Sequence, residues 1–152
     1  MKLIITFFGH RDFIGTKEYE NKLFAILENL IGRNAVEFYL GGYGNGDAFF
    51  YQCCKKYQLL HQNAKLIFIT PYLLSNDLQD KTKKYDLVIY PELEKVPPKF
   101  AILHRNRYMI DKADIVITYI QYTKGGAYQA YLYAKKQGKN IIELQTENFP
   151  LS

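Results

Sequence analysis

Five stretches of this chain are apolar almost without interruption: LIITFF (3–8), VEFYL (36–40), KLIFIT (65–70), IVITYI (115–120) and NIIEL (140–144). A strand with one face in water alternates apolar and polar residues. A strand apolar on both sides is buried on both, which is the condition of a parallel sheet covered by helices. The segments between these runs have helical spacing instead. In KEYENKLFAILENLI (17–31), Leu23, Ile26, Leu27, Leu30 and Ile31 recur on one face, with Thr16 placed to cap the start and Gly32 to end it. DAFFYQCCKKYQLLHQ (47–62) puts Phe49, Phe50, Cys53, Tyr57 and Leu60 on one side. KFAILHRNRYMIDKAD (99–114) reads as a third helix, and AYQAYLYAKKQGK (127–139) as a fourth, with Ala127, Ala130, Tyr131 and Ala134 on one face. Strands alternating with helices predict one α/β domain over residues 1–152, with a mostly parallel central sheet.

The middle of the chain is less regular. SNDLQDKTKKYD (75–86) predicts an exposed loop or short helix, DLVIY (86–90) a short strand, and the proline-rich PELEKVPPKF (91–100) a connection. No apolar run reaches the roughly 18–20 residues of a membrane helix. MKLIITFFGH reads as a first strand and not as a signal peptide, so no membrane association is expected. Cys53 and Cys54 are adjacent and have neither a CxxC spacing nor a histidine partner, which gives no metal pattern; the expected setting is a reducing cytoplasm. Nothing in the sequence calls for a cofactor. The net charge of +5 suits anionic ligands, from nucleotides to nucleic acid.

In parallel sheets ligands sit beyond the carboxyl ends of the strands. Three glycine-containing loops follow strands there, each leading into a helix: Gly9–Phe13, Gly41–Asp47 and Gln121–Gly126. Glycine lets backbone N–H groups approach a phosphate or ribose without a Cβ in the way, and the next helix adds partial positive charge. Gly42, Gly44 and Gly46 therefore form either such a cradle or a plain tight turn. Asp47 is either the N-cap of its helix or an acceptor for ribose hydroxyls. His10 and Arg11 are either solvated loop residues or ligand contacts. Arg105 shares a helix face with Met109, whereas Arg107 points elsewhere; Arg105 is part of a solvated basic face or reaches over the sheet edge to a phosphate. Gly125 and Gly126 offer a turn or a second phosphate contact.

These pieces in this order resemble a known family. GHR (9–11), GGxxxGD (41–47), Pro71 after the third strand, RNxxMxDxAD (105–114) before a strand, and the Gly125–Gly126 turn before a closing helix are similar to the SLOG superfamily. This is the SMF/DprA–LOG group of Rossmann-like three-layer domains. The likeness is greatest to its small stand-alone YpsA-like branch and spans roughly residues 2–144. It implies a nucleotide-derived ligand, ADP-ribose-like or a ribosyl phosphate, bound in a homodimer or other homo-oligomer. It also implies two other activities known in the group: N-ribohydrolysis of nucleoside monophosphates and binding of single-stranded DNA. By position, Gly9, Arg11, Gly42, Gly46, Asp47, Arg105, Asn106, Gly125 and Gly126 fall on the family's ligand edge. LOG-type hydrolases carry threonine and a pair of glutamates after the second glycine turn. This chain has GGAYQA (125–130), which leaves Asp47 as the candidate catalytic residue and favours binding over hydrolysis.

Overall fold

A computed structural model describes residues 1–73, 80 and 83–145; part of the polar run 75–86 therefore lies outside the described residues. Six strands, β1 (Lys2–Gly9), β2 (Ala35–Leu40), β3 (Ala64–Ile69), β4 (Leu87–Ile89), β5 (Ile115–Tyr119) and β6 (Asn140–Glu143), form one sheet in the order β4-β3-β2-β1-β5-β6. Every pairing is parallel, so the mostly parallel sheet expected from the apolar runs is parallel throughout. Around it lie the helices α1 (Lys17–Ile31), α2 (Gly44–Leu60), α3 (Ala101–Lys112), entered through a 3-10 turn at Pro98–Phe100, and α4 (Gly126–Lys136). The architecture is a Rossmann-like α/β sandwich.

Strand alternation sorts the sheet residues into two layers. Ile5, Phe7, Phe38, Leu66 and Phe68 face α1 and α2, where Leu23, Ile26, Phe50 and Tyr57 complete the larger core. Phe8, Tyr39, Ile67 and Val116 face α3 and α4, against Met109, Ile110, Ala130 and Ala134. The small alanines let α4 lie close to β1 and β5. Thr16 accepts a hydrogen bond from Tyr19 N–H at 3.2 Å and so caps α1, and Gly32 ends it at φ 57°.

Two details differ from the sequence expectation. Leu60 is exposed, and Cys54 takes a buried place instead: α2 buries Phe50, Cys53, Cys54 and Tyr57, and its last turn runs past the edge of the core. Asp47 does not begin α2. The helix starts at Gly44 with Tyr43 as N-cap, and Asp47 lies in the first turn, its Oδ2 accepting from Tyr43 N–H at 2.9 Å. Among the described residues, no helix is long and apolar enough to cross a membrane.

The connections from β1 to β4 step outward on one side of β1, and β5 and β6 lie on the other. The chain thus reverses its direction of winding between β1 and β5, and a crevice opens where the loops after these strands part.

Candidate functional site

That crevice holds a cavity of about 200 Å³. Its walls come from all three loops singled out in the sequence: Gly9, His10 and Arg11 after β1, Gly41, Tyr43 and Asp47 after β2, and Tyr122, Lys124, Gly125 and Gly126 after β5. Arg105 and Asn106 of α3 also line it.

The glycines divide by what surrounds them. A Cβ on Gly46 would stand 2.8 Å from the carbonyl carbon and oxygen of Gly9 and from the His10 carbonyl oxygen. Gly46 therefore lets the first turn of α2 seat directly on the β1 loop. Gly44, at φ 84°, backs onto Arg11, whose Cα would lie 3.3 Å from an added Cβ; with Gly42, at φ 77°, it borders a separate, smaller hollow near Tyr51 and Tyr85. Gly125 and Gly126 have no heavy atom within 4 Å of an added Cβ. Gly125 adopts φ 91° as the N-cap of α4, and no side chain caps that helix. The first turn of α4 borders the cavity, and an α-helix supplies no internal partner for its first N–H groups.

Arg105 is neither on a solvated face nor extended from the edge. It is 3% exposed. Its Nη1 donates to the carbonyls of Gly41 at 3.0 Å and Ile69 at 2.7 Å, and its Nε donates to Asn106 Oδ1 at 2.9 Å. It brackets the carboxyl ends of β2 and β3 and forms the floor of the cavity. Burial lowers its pKa, opposed by the charge of Asp47, but a guanidinium stays protonated. The floor is accordingly cationic, with Asp47 the one carboxylate among the described lining residues.

His10 is 4% exposed. Its Nε2 accepts from the backbone N–H groups of Gln121 at 3.0 Å and Tyr122 at 3.4 Å, so the proton of the neutral ring sits on Nδ1. Burial lowers its pKa, partly offset by Asp12. His10 therefore straps the β5 loop to the β1 loop, and it also borders the cavity. Arg11 is exposed. Tyr122 and Lys124 were not singled out from the sequence. They lie on a loop that was, and the abundance of tyrosine and lysine in the chain hid them. Among the described residues, no group of histidines, cysteines and carboxylates is placed to hold a metal.

Solved structures share this arrangement of strands and helices. DNA processing protein A from Streptococcus pneumoniae superposes with a TM-score of 0.62 at 16% identity, over 91% of this chain and 49% of that one. DNA processing protein A from Helicobacter pylori, described for its single-stranded DNA binding mode, gives 0.61 at 18% identity, over 91% and 63%. What these likenesses show is a shared fold. The molybdenum cofactor carrier protein of Chlamydomonas reinhardtii shares it at a TM-score of 0.55 and 13% identity, over 93% of this chain and 75% of that protein. This chain thus spans about half to two thirds of the two DNA processing proteins. No family model matches the chain, and no curated protein matches it by sequence.

Proposed function

We propose that this chain binds a nucleotide or a nucleotide-derived ribosyl phosphate, such as an ADP-ribose-like molecule, in the cavity between the β1, β2 and β5 loops. The observation that carries the proposal is the N-terminus of α4 at Gly125–Gly126, which no side chain caps and which lines the same cavity as Lys124 and Arg11. Backbone N–H groups, helix polarity and two flexible cations suit a phosphate. Asp47 and Asn106, which also line the cavity, bring a carboxylate and an amide within reach of ribose hydroxyls in this reading. In this reading Gly9, Gly42, Gly44 and Gly46 shape the loops that hold the ligand, and His10 and Arg105 hold the walls around it. A place in the stand-alone YpsA-like branch and a homo-oligomeric state belong to the same proposal.

Calorimetric titration with adenosine 5′-monophosphate, ribose 5-phosphate and ADP-ribose tests it. Saturable binding is expected, weakened about 10-fold or more in Lys124→Ala and Arg11→Ala if each makes a charge-assisted bond. Heat signals indistinguishable from buffer for all three ligands would end the proposal.

A second reading is binding of single-stranded nucleic acid. The likeness to the Helicobacter pylori DNA processing protein and the net charge of +5 favour it. It predicts affinity for oligodeoxythymidylate that falls steeply with salt, which a mononucleotide site does not require.

A further inference from the structure

The ring of Tyr122 is held on one face by an imidazole, and the residue stays partly exposed. The imidazole of His10 lies flat against it, with ring centroids 3.7 Å apart and planes at 10°. The Tyr122 hydroxyl donates to Asp12 Oδ1 at 2.8 Å. Its backbone N–H, with that of Gln121, is tied to His10 Nε2. The side chain is thus fixed by its tip, one face and its own backbone. It nevertheless remains 37% exposed, and it lines the cavity next to Lys124 and Gly125. The imidazole covers one ring face, which leaves the second face for a ligand.

The other aromatic rings at the cavity are committed elsewhere. Phe7 and Phe8 belong to the two core layers, and Tyr43 lies under the Arg105 guanidinium and edge-on to Phe68. A pre-oriented ring with an open π-face beside cations is what a planar heterocycle stacks on, and a ring already fixed loses little freedom when it does so.

We propose that Tyr122 is the stacking platform for the base of the bound ligand, its phosphate lying inward at Lys124 and the α4 N-terminus. This rests on the nucleotide reading of the site and adds to it the residue that distinguishes a nucleotide from a bare sugar phosphate.

The test compares adenosine 5′-monophosphate with ribose 5-phosphate by calorimetry. On the wild type, the base is expected to raise affinity about 5- to 100-fold, the range of single stacking contacts. Tyr122→Leu should shrink that advantage to about twofold or less, and Tyr122→Phe, which keeps the ring and loses only the Asp12 bond, should restore most of it. Equal affinity of the wild type for the two ligands, or a full base advantage in Tyr122→Leu, overturns the platform and leaves the phosphate site standing. Binding of neither ligand by the wild type overturns both. Should Tyr122→Leu fail to fold, the wild-type complex decides: upfield ring-current shifts of the adenine H2 and H8 protons support the platform, and their absence overturns it.

Discussion

Arg105 donates from Nη1 to the carbonyl of Ile69 at 2.7 Å, 36 residues earlier in the chain, and from the same nitrogen to Gly41 at 3.0 Å. One buried guanidinium thereby holds together the ends of two neighbouring strands at the point where their loops diverge. Arg105→Ala should lower stability by about 2–4 kcal/mol, because buried carbonyls lose their donor. Arg105→Lys should recover only part of this, since an ammonium cannot reproduce the planar fork. Thermal unfolding checks it; an unchanged melting temperature in Arg105→Ala would mean the bracket contributes nothing.

The two ends of the glycine series should respond in opposite ways. Gly46→Ala drives a Cβ to within 2.8 Å of backbone atoms that have no room to move. It should cost about 1–3 kcal/mol of stability, as overpacking does. Gly126→Ala meets open space and should leave stability within about 0.5 kcal/mol of wild type, while crowding a phosphate at the α4 N-terminus. Denaturant unfolding of both variants, with adenosine monophosphate titration of the second, separates packing from binding.

His10 makes stability depend on pH. Burial lowers its folded pKa below 6.5, so the unfolded chain takes up the proton first as pH falls. Its contribution is complete above the unfolded pKa and is lost as pH drops below about 6.5 through the lower folded value. Protonation also turns Nε2 into a donor facing two N–H groups. Between about pH 7.5 and 5, the wild type should therefore lose more melting temperature than His10→Gln, whose amide oxygen accepts at any pH. Parallel pH profiles for the two proteins would contradict this.

Hydrolysis of the ribosyl bond is not expected. Positive charge builds on the sugar as the C–N bond breaks, and a carboxylate beside the ribose must stabilise it and orient water. The positions after the second glycine turn hold Ala127, Tyr128, Gln129 and Ala130. Asp47 is the carboxylate at the cavity, and its Oδ2 is engaged by Tyr43 N–H. Chromatography of adenosine and guanosine monophosphates, ADP-ribose and NAD incubated with the protein should show no free base. Base release that vanishes in Asp47→Asn would instead make this chain a hydrolase.

The α/β alternation, the parallel sheet and the three loops at its carboxyl edge were legible in the sequence, because apolar runs and helical spacing report burial face by face. Thr16 and Gly32 mark the ends of α1 for the same local reason: caps act within one turn. The site's internal arrangement is not local. Arg105 reads as surface or ligand contact by its type and spacing, since nothing in the sequence announces the carbonyls of Gly41 and Ile69 that surround it. Gly46 reads as part of a cradle, yet what requires it is the backbone of Gly9 and His10, brought against it only when α2 docks on β1. Tyr122 and His10 stand 112 positions apart. They meet because β5 pairs with β1 and not with the preceding β4. Periodicity says which side of a strand is buried and is silent on which strand lies beside it, and that choice of neighbour, made by packing of the whole sheet, is what builds the wall of the cavity.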